Sequence, residues 1–367
     1  MSALYIHVPF CLSKCGYCAF YSRVPCKDDI ALYLNQLRKE AKERILPGAK
    51  AYETIFIGGG NPSALGLAGI EQIIEIIGEN IDLSGVSEFT IETNPETLSV
   101  EIIDFLAQVY NIRISMGVQR LQDNELKILG RNTLMNSVYN ALDNVFNKIK
   151  NVSCDFILGV PGCNTIATGL SSFLTKYPLM HVSAYFLGVE ENTPLHDAVL
   201  NKKIADPDEI GPAEMFEVKK VLADAGFTHY EISNYAKPGF ECKHNLNYWL
   251  AGSYLGLGPS AVSFDNSFRI SNVANLQEWL NKLAPIYEKL SVTDLRNEYI
   301  MLHLRLLEVG LDIADLERNY GIQNAEFYET INKHAEKGYI DISGSKIKLS
   351  AKVLGFADSI ISDYFSL

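Results

Sequence analysis

The chain predicts an α/β fold: a barrel or partial barrel of parallel strands with helices outside, followed by a smaller C-terminal winged-helix-like α+β unit. Three observations lead there. Short apolar runs alternate with amphipathic helical segments about six times, which is the signature of repeated β–α units. After about residue 187 this alternation loses its regularity, and from Arg296 three helical stretches precede two short β runs. The 367 residues suffice for one large α/β domain and a smaller one.

Taken in order, the strand candidates are Ala3–Val8, Thr54–Ile57, Glu88–Glu92, Arg113–Met116, Val152–Leu158 and His181–Phe186. Between them, Asp28–Arg44 repeats Ile30, Tyr33, Leu34, Leu37 and Ala41 at helical spacing. Ile70–Ile77, Ser99–Tyr110, Asn136–Asn147 and Thr168–Lys176 read as the next helices. Pro212 suits the start of a helix over Ala213–Ala225, and His229–Ile232 reads as a short strand. The aromatic and glycine-dense stretch Gly239–Ser263 fits no simple element. Helices are expected at Arg296–Leu307, Ile313–Asn319 and Ala325–Glu336. A hairpin then pairs Tyr339–Ile342 with Lys346–Leu349 around Ser343-Gly344. The boundaries implied are 1–290 for the larger unit and 296–367 for the smaller.

Composition narrows the function. Charged residues make up 21% and apolar residues 47%, ordinary for a globular protein. A formal net charge of −12 argues against nucleic-acid binding, which needs a basic surface. The same holds for Arg296–Leu367, with 8 basic against 11 acidic residues, although winged helices commonly bind DNA. No run of 18 uncharged apolar residues occurs, and Met1-Ser2-Ala3 leads directly into a strand without a basic leader, so a cytoplasmic location is expected. Seven cysteines in such a chain point to metal chemistry more than to disulfides.

Three of them crowd into Cys11-Leu-Ser-Lys-Cys15-Gly-Tyr-Cys18, directly after the first strand and Pro9. Three thiolates on one loop suit three irons of a [4Fe–4S] cube and leave the fourth iron open to another ligand. A structural zinc site wants four ligands in spaced pairs. No second pair lies nearby, and Cys26 is isolated. This CxxxCxxC after the first strand of a β/α chain, with Tyr17 before the third cysteine, resembles the radical S-adenosylmethionine (SAM) superfamily. The resemblance implies a partial barrel of the radical SAM type. It also implies chelation of the open iron by the methionyl amine and carboxylate, and reductive cleavage to a 5′-deoxyadenosyl radical.

Further motifs extend it. Gly58-Gly59-Gly60-Asn61-Pro62-Ser63 follows the second strand. It matches the superfamily's methionine-binding glycine motif, with Asn61 in place of the usual threonine. Glu92, Gln119, Arg131 and Asp155 lie at or near successive strand ends, where polar residues converge on a ligand. Each alone reads as a residue that solubilises a strand end. In this order they match the SAM contacts of the coproporphyrinogen dehydrogenase-like branch. The resemblance gives Glu92 and Gln119 to ribose or methionyl groups, Arg131 to the carboxylate, and Asp155 to the ribose or adenosine end. Tyr5 on the first strand is expected to face the same pocket.

Within that branch, three features set the chain with the HemW-type heme chaperones rather than the oxygen-independent coproporphyrinogen III dehydrogenases. Phe20 stands where the dehydrogenase typically has a fourth cysteine. The first strand begins within a few residues of the start, where the dehydrogenase has an extension. His244-Asn-Leu-Asn-Tyr-Trp249 matches the HNxxYW motif of the chaperones. Histidine is a standard heme ligand, and Tyr248 and Trp249 offer flat apolar surface. Read without the motif, His244 is a packed, hydrogen-bonded residue; with it, His244 is expected to contact heme, and Cys242 is a weaker candidate ligand. The chain departs from the group at Val262, Asn132-Thr133 and Cys163-Asn164. The resemblance further implies heme-accepting respiratory proteins as partners, a homodimer, and membrane contact only at the periphery. Radical decarboxylation of coproporphyrinogen III and a purely structural iron–sulfur role are the competing readings.

Overall fold

The computed structural model describes residues 2–45 and 52–365, so the last two residues of the expected second unit fall outside the described residues. Six parallel strands form where the apolar runs predict them: β1 (Ser2–Val8), β2 (Thr54–Gly59), β3 (Glu88–Thr93), β4 (Ile112–Gln119), β5 (Val152–Leu158) and β6 (His181–Phe186). Helices α1 (Asp29–Arg44), α2 (Gly66–Gly78), α3 (Val100–Leu106), α4 (Asp123–Ile128), α5 (Met135–Phe146) and α6 (Ala167–Lys176) lie between them in sequence. The strands pair in chain order, β1 with β2 through β5 with β6, each pair parallel.

Alternation along the strands sorts the two faces. One face carries Phe89 and Ile91, Ile114 and Met116, Cys154 and Phe156, all buried in the apolar core. The other carries Glu88, Thr90 and Glu92, Arg113 and Ser115, Ser153 and Asp155, then His181 and Ser183. A parallel sheet covered on both faces normally reads as continuous apolar sequence. Here the concave side is polar, which reserves it for ligands and internal hydrogen bonds.

Beyond β6 come α7 (Pro194–Leu200) and α8 (Pro207–Asp224). Helix α8 starts earlier than the sequence suggests. Asp206 caps it by accepting from the Asp208 backbone N–H, Pro207 takes the first turn, and Pro212 lies inside. Proline there forgoes one helical hydrogen bond. The helix packs closely against β5 and β6 here: a Cβ on Gly211 would stand 2.6 Å from the Phe186 ring, and one on Gly159 would stand 2.9 Å from Gly211 Cα. Glu214 on α8 joins a fully buried network, accepting from Arg120 Nη1 at 2.8 Å, Gly159 N at 2.7 Å and Ile166 N at 2.8 Å.

The sheet then extends on both sides. Strands β7 (Thr228–Glu231) and β8 (Asn234–Ala236) add antiparallel beside β6. The stretch that fits no simple element resolves into α9 (Lys243–Trp249), β9 (Ser253–Leu257) and β10 (Val262–Asp265). Strand β9 runs parallel to β1, and β10 is antiparallel to β9. Next come β11 (Phe268–Ser271), α10 (Leu276–Leu280) and β12 (Ile286–Lys289), with the two strands antiparallel neighbours. The order is β12-β11-β10-β9-β1-β2-β3-β4-β5-β6-β8-β7, an open twelve-stranded sheet with β12 and β7 as edges. The barrel is therefore partial.

The C-terminal part contains α11 (Val292–Arg305), β13 (Leu311–Asp312), α12 (Ile313–Tyr320), α13 (Ala325–Glu336), β14 (Ile340–Ser343), β15 (Lys346–Leu349) and α14 (Ala357–Ser362). Three helices and a hairpin give the winged-helix arrangement, with strand order β13-β15-β14. The turn is Gly344-Ser345, one residue later than predicted, because Gly344 takes the positive φ of 62° that a tight hairpin needs. The apolar core is continuous from the barrel into this part. Among the described residues, no helix is long and apolar enough to cross a membrane.

Candidate functional site

The loop after β1 carries Cys11, Cys15 and Cys18, all free and partly exposed. Its ends are tied by Cys11 N donating to Arg23 O at 3.0 Å and Arg23 N donating to Pro9 O at 2.9 Å. All three thiols line one cavity of about 330 Å³. Among the described residues, no three His, Cys, Asp or Glu side chains converge on a single ion. A cubane cluster takes one thiolate per iron and so accepts a wider spread.

The same cavity is walled by Tyr17, Gly59, Gly60, Glu92, Gln119, Arg131 and Asp155. These lie at the carboxyl ends of successive parallel strands or in the loops beyond, where parallel α/β folds build their sites. The glycine turn at the end of β2 is dictated by space. A Cβ at Gly58 would meet Glu92 Oε2 at 2.7 Å, and one at Gly60 would meet the Phe10 carbonyl oxygen at 2.6 Å. At Gly59, with φ +107°, it would meet the His7 ring at 2.6 Å. The glycines thus let the second strand's turn lie directly against the cysteine loop and the cavity floor.

Arg131 Nη2 donates to Asn94 Oδ1 at 2.8 Å and Gly117 O at 3.3 Å. It sits in the fields of Tyr17, Cys15 and Glu96, so a guanidinium stands beside the cysteine loop, ready for a carboxylate. Gln119 adopts φ +69° where the β4–β5 register shifts, and its Oε1 accepts from Tyr185 Oη at 3.2 Å. Ser115 Oγ lies 3.1 Å from both Asp155 carboxylate oxygens. Burial holds Asp155 up at about 6, against lowering by Ser183 and Ser115. Glu92 is pushed up to about 8, by burial first and by the charge of Asp155 second, although Gly59 N–H donates to it at 3.0 Å. Two partly buried carboxyls on one cavity wall suit a ligand rich in hydroxyl and amino donors.

This coupling gives a signed pH dependence. Glu92 has an ordinary value of 4.5 and a folded value of about 8. Its contribution to stability is fully present below 4.5, declines as pH rises, and is lost through about 8. The loss for the ligand-free protein is on the order of 3–5 kcal/mol. Glu92→Gln keeps the shape without the titration. Urea denaturation at about pH 5 and about pH 8.5 is expected to show a shallower decline for this variant than for the parent. Parallel declines would contradict the assignment.

Two residues expected here lie elsewhere. Asn61 is buried behind the glycine turn, donating to Thr97 Oγ1 at 2.9 Å and accepting from Ser63 Oγ at 2.7 Å. It braces the turn and does not line the cavity. Tyr5 lines an adjoining cavity of about 610 Å³, with its hydroxyl 3.0 Å from His7 Nδ1. Ser115, Gly117, Asn94 and Tyr185 join the first cavity without individual notice from the sequence. Ser115 and Gly117 had a signal, since both precede Gln119 in one motif.

The larger cavity is strongly aromatic. Tyr5, Tyr21, Tyr248, Trp249, Tyr254 and Phe264 line it, with Tyr299, Met301 and Tyr320 from the C-terminal part. Exposed Phe20 belongs to the walls of both cavities. Arg269 provides a cation here, paired with Glu298 at 2.6 Å and Glu288 at 3.3 Å.

Helix α9 is anchored from the polar side of the sheet. Glu88 accepts from the backbone N–H of Lys243 and of His244, each at 3.1 Å, and pairs with Arg113 at 3.2 Å. That carboxylate satisfies donors of the first helical turn from a distant strand. His244 is only 1% exposed and absent from the cavity lining. Its Nδ1 lies 2.9 Å from Thr54 Oγ1 and its Nε2 lies 2.9 Å from Tyr248 Oη. Burial pushes its value down to about 3, so the ring is neutral. In this arrangement the residue expected to meet heme is instead packed behind one that lines the cavity. Cys242 is likewise buried, with Sγ 3.4 Å from Glu88 Oε1, and burial pushes its thiol up.

Comparison with known proteins agrees with this architecture. Residues 5–165 match the Radical SAM superfamily, and residues 290–352 match the HemN C-terminal domain. The chain is 34% identical to the heme chaperone HemW of Buchnera aphidicola (subsp. Schizaphis graminum), over 92% of this chain and 91% of that protein. It is 32% identical to the heme chaperone HemW of Bacillus subtilis, over 97% of each. The fold matches that of the radical SAM enzyme coproporphyrinogen III oxidase (HemN) from Escherichia coli. The TM-score is 0.85 at 19% identity, covering 100% of this chain and 90% of that one.

Proposed function

Since the chain belongs to the heme chaperone HemW family within the radical SAM superfamily, we propose that it is a heme chaperone that holds a [4Fe–4S] cluster, SAM and heme and passes heme to respiratory acceptor proteins. Cys11, Cys15 and Cys18 hold the cluster. Arg131 takes the methionyl carboxylate, Glu92 and Gln119 take ribose or methionyl polar groups, and Asp155 supports the ribose or adenosine end of SAM. A bound cluster supplies a one-electron redox centre. Residues 1–290 form the unit that carries these groups, and the smaller one, expected from 296, takes in the whole of α11 from Val292. Membrane contact, homodimerisation and the exclusion of nucleic acid remain part of this proposal.

The observation that carries it is the pairing of two cavities, one polar and thiol-lined, the other larger and aromatic, with Phe20 in both walls. A flat apolar macrocycle suits the aromatic one. Trp249, Tyr248 and Tyr254 give it flat aromatic walls, and the Arg269–Glu298 pair lies at its edge. Phe20 in place of a cysteine favours carriage of heme over porphyrinogen oxidation. The discriminating experiment incubates the anaerobically reconstituted protein with SAM, a reductant and coproporphyrinogen III. No protoporphyrinogen is expected; steady multiple turnover to it would overturn the chaperone reading.

A further inference from the structure

We propose that Tyr248 provides the oxygen that binds the iron of a ferric heme in the aromatic cavity, and that His244 acts behind it as a positioning residue. The inference rests on the heme-chaperone reading and assigns the ligand within it. The two residues stand four apart on α9, which stacks them on one face of the helix. Tyr248 is the member that lines the cavity. His244 lies behind it, with both ring nitrogens engaged. For His244 to reach iron directly, it would have to break both hydrogen bonds and pass the tyrosine.

Tyrosine oxygen is an established axial ligand to heme iron. The Tyr248 hydroxyl has His244 Nε2 as its hydrogen-bond partner, and no other among the described residues. Both ring nitrogens of His244 are paired, Nδ1 with Thr54 Oγ1 and Nε2 with the phenol, so that one donates while the other accepts. When iron binds, the O–H bond would break, the oxygen would donate an electron pair to ferric iron, and the proton would leave to solvent in the open cavity, while the neutral His244 ring would donate Nε2–H to the phenolate oxygen. No electron is gained or lost. A hydrogen-bonded partner that orients a ligand is a general feature of metal sites. The HNxxYW spacing then has a physical reason: the histidine orients the phenol and the tyrosine is the ligand.

The cavity holds a second phenol backed by histidine, Tyr5 with His7. That pair belongs to the wall shared with the thiol-lined cavity, where the His7 ring packs against Gly59. Tyr248 stands instead at the aromatic end, edge-on to Tyr254 with ring centres 4.6 Å apart. It adjoins Trp249, whose Nε1–H is unpartnered among the described residues.

The test is a titration of the full chain with ferric heme, followed by visible absorption and resonance Raman spectroscopy. The parent protein is expected to show a phenolate-to-iron charge-transfer band with tyrosinate modes. Tyr248→Phe loses both, and Tyr5→Phe keeps both. His244→Gln keeps the tyrosinate signature while weakening binding by about 10- to 100-fold, as loss of a ligand's supporting partner does. The wild-type spectrum decides even if a variant fails to fold. A nitrogen-ligated spectrum in the parent, or an unchanged spectrum in Tyr248→Phe, overturns the assignment while leaving the chaperone reading intact. Absence of any heme binding by the parent overturns both.

Discussion

Cys15→Ala, purified and reconstituted without oxygen, is expected to lose the broad visible absorption of the cluster and to fall to background iron content. Each of the three loop thiolates serves a different iron, so removing one leaves an iron without a protein ligand. No other cysteine stands ready to replace it. Cys26 is exposed and outside both cavities, Cys154 and Cys242 are buried in other parts of the sheet region, and Cys163 lies beyond β5. The loop contributes little to the core beyond Phe10, so far-ultraviolet circular dichroism and the urea midpoint of the ligand-free chain should stay close to the parent. The variant therefore separates loss of cofactor from loss of fold. A full [4Fe–4S] signal in Cys15→Ala would remove the thiol-lined cavity from the account.

Glu88→Ala is expected to be the most damaging single change at the base of α9, costing about 3–5 kcal/mol in urea denaturation. Glu88 and Arg113 are 3% and 2% exposed, and the variant leaves the guanidinium charge buried with no carboxylate beside it. Arg113 Nη2 would retain only the Phe240 and Glu241 carbonyls, at 2.6 and 3.3 Å. The backbone N–H groups of Lys243 and His244 would lose their acceptor. Because that helix carries Tyr248 and Trp249, heme affinity should fall together with stability. Glu88→Gln retains acceptor oxygen and should cost less. A loss under about 1 kcal/mol in Glu88→Ala, the range of an exposed pair, would mean that the buried pair does not anchor the helix.

Glu88 also shows where sequence reading stops. Its strand was legible, as were the other five parallel strands, because each is an apolar run between amphipathic helices. The cysteine triplet was legible because its spacing is rare and local. Glu92, Gln119, Arg131 and Asp155 could be placed because their order matches the family's contacts, and parallel strand order is consistent with their convergence. Side-chain direction was not legible. Asn61 and Tyr5 are near the right place along the chain, but one turns behind the glycines and the other faces the adjoining cavity. The seven-residue α9 and the short strands β9 to β12 are too brief to show a period. Partnerships between distant segments, such as Glu88 with α9 or Thr54 with His244, leave no local trace at all. For that reason His244 stood out as the ligand, while Tyr248 in front of it was expected only to offer flat surface.

The central claim is that this scaffold carries heme in the aromatic cavity beside its cluster site. The most direct measurement is an anaerobic equilibrium titration of the reconstituted chain with ferric heme, followed at the Soret band, with Trp249→Ala as the cavity control. The account predicts saturable binding of one heme per chain in the parent and clearly weaker binding in the variant. Unsaturable, nonspecific uptake, or identical binding by both proteins, would contradict it.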